Sequence, residues 1–351
     1  MRFSILVPIY NVRKYLPECL DHITEQSFSD FEAILIDDGS TDGSGEIADQ
    51  YASEDSRFRV VHKKNQGLVS ARRDAIRIAR GEYLIFCDAD DFLAFNALEM
   101  IHQRLSEKSV DILLYDAYLY DAEAQTECPE LPRKREQRKC FIDGAVQTGI
   151  FADQKSIVRT LFLTMKLQPM WIKAVRRECA EPEADYSIYN GIGYGEDMLQ
   201  SALYFCKASS VGYCGIPLYY YRQSSGMMGR FHEKYYEENR RVHQEVSEIL
   251  RRGHIPEVMT DLDTYLGAYL MYVAYGAFHQ CSFLKNADIQ SVKTVTNDPY
   301  FRKMYETVHG SEVWRKISRH ERLAVWLMYH KKYTVLQIIC RMIRLVKGYK
   351  K

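Results

Sequence analysis

"GEYLIFCDADD", residues 81–91, runs from a glycine through an apolar stretch into three carboxylates within four positions. Tyr83 to Phe86 contains no charged residue, as a strand covered on both faces requires. The acids that follow repel one another at this spacing, which favours protonation or a bound cation. Side chains at i and i+2 of an extended strand end point the same way, so Asp88 and Asp90 can reach one ion, or one ion and a sugar hydroxyl. Mg²⁺ and Mn²⁺ take such oxygen ligands and complete their shells with water and substrate phosphates. Taken alone, the stretch fits a water-screened acidic loop equally well.

Upstream lie three more short apolar runs, "FSILVP" (3–8), "FEAILID" (31–37) and "FRVVH" (58–62). Between the runs, "RKYLPECLDHITEQ", "GSGEIADQYASED" and "LVSARRDAIRIAR" carry apolar residues at helical spacing, and Gly81 stops the last of these helices. The alternation is βαβαβαβ: an α/β fold with a mostly parallel sheet flanked by helices, whose ligands belong beyond the carboxyl ends of the strands. Polar residues gather at those four ends: Asn11, then "DDGSTDGS", "KKNQG" and "DADD". Ser40, Thr41 and Asp42 are good N-caps for the second helix, which leaves Asp38 as the functional acid of its motif.

Residues 121–150, with Pro129, Pro132 and a charged run from Arg133 to Lys139, predict a surface excursion. Structure resumes with "QPMWIKAVRR" (168–177) and "NGIGYGEDMLQSALYF" (190–205), in which Glu196 and Asp197 open a helix and suit its macrodipole whatever else they do. "VGYCGIPLYYYR" (211–222) reads as a strand and "QSSGMMGRF" as a loop; after His232 the pattern is helical to the end, with Tyr265, Tyr269, Tyr272 and Tyr275 near one face.

Five motifs in order, "VPIYN" (7–11), "IDDGSTDGS" (36–44), "NQGLVSARR" (65–73), "GEYLIFCDADD" (81–91) and "GYGEDMLQ" (193–200), resemble glycosyltransferase family 2, the inverting GT-A enzymes of bacterial surface-polysaccharide synthesis that use nucleotide-diphosphate sugars. The resemblance is dense to about residue 115, resumes near Trp171 and fades after Arg222. It implies a GT-A domain over 1–225, with a donor half at 1–115 and an acceptor half at 116–225, followed by a helical region over 226–351. It further implies that Pro8, Tyr10, Asn11, Asp38, Asn65, Gly67, Arg72 and Asp88 bind the donor, with Asp38 accepting from the base. Asp90, with Asp88, would hold a divalent metal (Mn²⁺ or Mg²⁺), and Asp197 would be the catalytic base. Trp171, Lys173 and Glu196 would line the acceptor side. The partners it implies are a UDP-sugar donor and a glycan or lipid-linked acceptor. The chain departs from the family where an Asn commonly follows the arginine of the third motif: here the order is Arg72, Arg73, Asp74. One of two neighbouring arginines on a helix is expected to be solvated. A phosphatase of the haloacid dehalogenase type also has Asp-x-Asp after a strand, but with Thr or Val where this chain has Phe92. A non-catalytic sugar-nucleotide or glycan-binding scaffold is the alternative, although it would be expected to lack one of Asp38, Asp88, Asp90 or Asp197.

Nine scattered cysteines without a Cys-x-x-Cys pair fit a reducing compartment, and the N-terminal apolar run is too short for a signal peptide, so a cytoplasmic location is expected. No stretch approaches the roughly 18 apolar residues of a membrane span. The net charge of zero hides an asymmetry: from Val313 onward eleven Lys or Arg face one acid, Glu321. Within 333–351, Val335, Leu336, Ile338, Ile339, Met342, Ile343 and Val346 recur at helical spacing, with Gln337, Arg341, Arg344 and Lys347 largely opposite. Such a helix suits the anionic inner face of the cell membrane, as a peripheral attachment, or packs its apolar face on a core. No nucleic-acid recognition motif is present.

Overall fold

The four apolar runs of the N-terminal part form four mutually parallel strands in the computed structural model, which describes residues 1–120, 136–139, 154–164, 166–222, 231–252, 259–284 and 289–347. The strands are β1 (Phe3–Ile9), β2 (Phe31–Asp37), β3 (Phe58–His62) and β4 (Tyr83–Phe86). Helices α1 (Leu16–Thr24), α2 (Ser44–Glu54) and α3 (Leu68–Ile78) connect them. Strands β1, β2 and β4 are buried almost throughout because helices cover both faces, so none shows the alternation of a half-exposed strand.

The sheet order is β3-β2-β1-β4-β8-β6-β9-β5, with β7 paired to β6. Here β5 is Phe92–Leu93, β6 Ile112–Tyr120, β7 Glu136–Lys139, β8 Lys173–Arg176 and β9 Val211–Arg222, while α4 (Ala97–Glu107), α5 (Gln154–Thr164) and α6 (Glu196–Lys207) lie between them. Strand β8 inserts antiparallel between β4 and β6, and β6 pairs parallel with β9. The sheet is thus parallel from β3 to β4 and mixed beyond β4. The excursion expected over 121–150 contributes β7, antiparallel to β6 through Ala117↔Lys139; the rest of it, and most of the "QSSGMMGRF" loop, lies outside the described residues.

Gly81 does more than end a helix. A Cβ there would stand 2.4 Å from the Ser4 backbone nitrogen, and the Gly81 N–H donates to Ser4 Oγ at 2.8 Å. Only glycine lets β4 enter the sheet this close to β1.

The chain divides into two units, residues 1–157 with 166–224 and residues 158–165 with 225–351. The second is helical, as its pattern predicts: α7 (Tyr235–Arg252), α8 (Leu262–Gln280), α9 (Gln290–Asn297), α10 (Pro299–Val308), α11 (Glu312–Lys316), α12 (Arg319–Tyr329) and α13 (Tyr333–Lys347). Its centre is α8, which packs against α7 and α10, with Tyr265 and Tyr269 buried. His243 of α7 sits between the Leu266 carbonyl (2.8 Å) and the Tyr300 hydroxyl (2.9 Å); burial pushes its imidazole down to about 4, so it is a neutral core residue at physiological pH.

Candidate active site

The loops after the first three strands brace one another. Asn11 adopts a positive φ of 52°, which brings its Oδ1 to accept the Thr41 N–H at 2.8 Å while its own N–H donates to Ser40 Oγ at 3.1 Å. Asp42 accepts from the Ser44 and Arg13 N–H groups, so this acid secures the start of α2 although Gly43 occupies the cap position. Pro8 is partly buried on β1, and Tyr10 is 52% exposed beside it in sequence. Asp38 is 3% exposed, and its carboxylate accepts the N–H groups of Gln66 (3.0 Å) and Gly67 (2.8 Å). The contact Asp38 makes here is therefore with the Gln66–Gly67 turn. A carboxylate has about four acceptor positions, which leaves capacity for one further donor such as a base N–H. Gly67, with φ 90°, caps α3, and Asn65 closes against Gly39.

The three acids of "DADD" have three environments. Asp91 is buried and accepts from the Tyr219 hydroxyl at 2.9 Å and the Arg222 N–H at 2.7 Å. The same hydroxyl accepts the Asp88 N–H at 3.1 Å, and Arg222 Nε donates to the Asp90 carbonyl at 2.8 Å. Strand β9 therefore holds the turn from behind. Trp171 stacks on Tyr219 (4.8 Å) and Tyr221 (5.2 Å) and supports them in turn. Asp88 accepts a charged hydrogen bond from Arg72. Among the described residues, the Asp90 carboxylate takes a hydrogen bond from its own N–H and from no other residue; burial raises its pKa.

Arg72, 1% exposed on α3, joins the motifs. Its Nη1 donates to Asp197 Oδ1 at 2.6 Å and its Nη2 to Asp88 Oδ1 at 3.0 Å. Asp197 is there because Gly195, at φ 84°, turns the chain into the first turn of α6. Burial, opposed by Arg72 and reinforced by Asp197 and Asp90, pushes the Asp88 carboxyl up to about 6. Burial and then Asp197 push Glu196 to about 8. Asp88, Asp197 and Glu196 thus share one buried guanidinium, a deficit of positive charge that adds to burial in raising the Asp88 and Glu196 values.

That deficit, with the accessible carboxylate of Asp90, fits a hard divalent cation. Among the described residues no three acid, imidazole or thiol groups converge into a ready ion cage. Phosphate oxygens and water would have to complete the shell, as is usual for Mg²⁺.

The arginine pair departs from expectation, since neither is solvated. Arg73 is 7% exposed and ties the carbonyls of Ala180, Glu181 and Ala184 at 2.6–3.0 Å, with its guanidinium over the Tyr186 ring. Arg72, expected on the donor side, bonds the carboxylates of Asp197 and Asp88. Asp74 instead forms an ion pair with Lys63. Trp171 and Lys173, expected to line an acceptor surface, are both buried; the Lys173 ammonium donates to the carbonyls of Gln168 and Pro169, and burial pushes it down to about 7. They support the site from within.

Tyr221 went unnoticed in the sequence. It is partly exposed, backed by Trp171, and its phenol feels the charges of Asp91, Asp90, Asp88 and Asp197, which reinforce burial in raising its pKa. The signal was available in "YYYR": at a strand end Tyr219 and Tyr221 share a face, while Tyr220 turns to Phe92 and Tyr118 on the other.

The family model described as Glycosyl transferase family 2 matches residues 4–153. Glycosyltransferase GlyG of Streptococcus pneumoniae is 44% identical over 119 residues, which are 34% of this chain and 40% of that protein's length. The putative glycosyltransferase EpsH of Bacillus subtilis is 28% identical over 266 residues, 75% of this chain and 73% of its own. Among solved structures, residues 1–349 of S. aureus TarS in complex with UDP-GlcNAc superpose with a TM-score of 0.69 at 20% identity, covering 98% of this chain and 92% of that one. At that identity the likeness concerns the fold.

Proposed function

We propose, from the premise that the chain belongs to glycosyltransferase family 2 through residues 4–153 and has the GT-A fold, that it moves a sugar from a nucleoside-diphosphate donor to an acceptor hydroxyl with inversion. The donor is a UDP-sugar, and the acceptor a glycan or lipid-linked glycan in surface-polysaccharide synthesis. The observation that carries this reading is the Arg72 guanidinium, whose two bonds bring Asp88, after the fourth strand, and Asp197, at the start of α6, into one charged cluster.

Pro8, Tyr10, Asn11, Asn65 and Gly67 border the nucleotide, and Asp38 orders the turn that carries Gly67 while keeping acceptor capacity for the base. Asp90, with the second oxygen of Asp88, would hold a divalent cation, which when bound supplies positive charge against the departing diphosphate. Arg72 fixes one oxygen of Asp197, so the other is left to orient the acceptor hydroxyl and take its proton as the anomeric carbon is attacked from the opposite face. One displacement inverts the centre and gives a β-linked product from an α-linked donor. Glu196 beside Asp197 and the phenol of Tyr221 define the acceptor side. Trp171 and Lys173 act through the elements they support.

The test measures nucleoside-diphosphate release from UDP-, GDP- and dTDP-sugars with Mn²⁺, Mg²⁺ or EDTA, together with donor affinity by calorimetry. Metal-dependent release from one donor is expected, abolished in Asp90→Ala. Asp197→Asn should lower transfer about 10²–10⁴-fold with nearly unchanged donor affinity. Equal loss of donor binding in Asp197→Asn would make that residue structural, and donor binding without release under any acceptor would favour a scaffold.

A further inference from the structure

Helix α13 divides its apolar residues between two faces. Leu336 and Cys340 are fully buried, and the helix packs against α12 and the Cys281–Phe283 turn, where Arg344 donates to the Phe283 carbonyl at 3.2 Å. The helix is therefore docked, and its packing needs are met. Yet Val335, Ile338, Met342 and Leu345 remain exposed, at 44, 52, 59 and 80%. Their spacing of three, four and three residues draws one stripe along the helix, turned away from the buried face. Neighbouring α12 also exposes Leu323 and Trp326.

The charge carried by α12 and α13 themselves is mostly basic, although Glu306 of α10 accepts from Tyr329 of α12. Arg319, Lys331, Lys332 and Arg341 are exposed. The one acid after Val313, Glu321, is engaged in the capping box with Ser318 at the start of α12. An exposed apolar stripe bordered by basic side chains matches the interface of an anionic bilayer, which accepts apolar side chains at the acyl boundary and attracts each nearby Lys or Arg. Trp326 is of the residue type that favours this depth. A second copy of the chain is a poorer occupant, because pairing two such ridges would bring two tails of about +10 together. No helix of the described residues is long and apolar enough to cross a membrane, so the contact would be peripheral.

We propose that the α12–α13 surface is a docking site for an anionic lipid bilayer, with Val335, Ile338, Met342 and Leu345 entering the interface and the basic residues around them meeting lipid phosphates. The sequence pattern had left the helix either packed on a core or lying on a membrane. In this structure Leu336 and Cys340 do the first while the ridge remains for the second. The surface stands independently of the transfer reaction.

The experiment is co-sedimentation of the full chain with vesicles of phosphatidylcholine, with and without phosphatidylglycerol, at low and high salt. The native chain should pellet with the anionic vesicles only, and less at high salt. Ile338→Glu with Met342→Glu should weaken partitioning about tenfold or more. Leu345→Glu, at the most exposed position, should weaken it in the same direction and serves if the double variant misfolds. Equal pelleting of native and variant chains overturns the proposal, as does pelleting indifferent to phosphatidylglycerol. A native dimer in gel filtration that Leu345→Glu converts to monomer also overturns it, assigning the ridge to a second copy.

Discussion

Replacing Arg72 by Met should destabilise the first unit in a manner that acid reverses. The guanidinium bonds two carboxylates at 2.6 and 3.0 Å, and their side chains keep 25% and 26% of their surface exposed. Breaking a fully buried ion pair costs about 3–5 kcal/mol; with a quarter of each acid in water, about 3 kcal/mol is expected. For a unit of this size that lowers the melting temperature by roughly 6–12 °C. The sign with pH follows from which state binds more protons. Without Arg72, the folded pKa of Asp88, already raised, rises further above its unfolded value. The folded variant then takes up protons as pH falls, and the deficit is full near pH 8 and shrinks toward the unfolded carboxylate pKa of about 4. Adding Asp88→Asn and Asp197→Asn should restore stability to within about 1 kcal/mol of native, because an ion cluster replaced entirely by neutral groups costs little. Trp171 is the one tryptophan of this unit. Urea unfolding in EDTA, followed by its fluorescence with Trp314 and Trp326 changed to Phe, reads the transition directly. A loss below about 1 kcal/mol for Arg72→Met, or no recovery in the triple variant, would refute the charge accounting.

Two further outcomes concern the frame of the site. Burial lowers the Lys173 pKa from 10.5 to about 7, so between these values the unfolded chain binds more protons and stability rises with pH; Lys173→Met should flatten that rise in urea midpoints, and an unchanged slope would contradict it. Gly81→Ala places a methyl 2.4 Å from the Ser4 nitrogen and should cost about 3 kcal/mol, read from the same unfolding curves; a neutral substitution would mean that β1 and β4 separate easily.

The parallel side of the sheet was legible because its strands are covered on both faces and its connections are short. Under those conditions, the apolar runs and the helical spacing between them carry the topology. Asp88, Asp90 and Asp197 were legible as acids where backbone direction changes. The insertion of β8 between β4 and β6 was not, since a four-residue strand whose partners lie 59 to 93 positions away leaves no local period. Arg72 and Arg73 misled for a related reason: arginine reads as a surface residue until carboxylates and carbonyls from distant loops are placed around it. Asp91 could not be told from its neighbours, because its role depends on Tyr219 and Arg222. The exposed ridge of α13 required knowing which of its apolar residues the rest of the helical unit covers.

The bonds that close the acidic turn span long stretches of chain: Asp91 waits for a hydroxyl 128 positions later and an amide 131 positions later. Strand β1 pairs with β2 across 28 positions and with β4 across 80, whereas the contacts of Asp91 span longer stretches still and form later because loop closure must precede them. A polypeptide that has left the ribosome only as far as α4 has every acid of the turn, and Arg72 for Asp88, but none of the β9 groups that bond Asp91. Burying Asp91 then would leave a carboxyl without partners, at a cost of about 1–3 kcal/mol. The acidic turn is thus finished only by β9, the strand that also pairs with β5 and β6, so an unfinished chain holds three crowded carboxylates and no ordered turn.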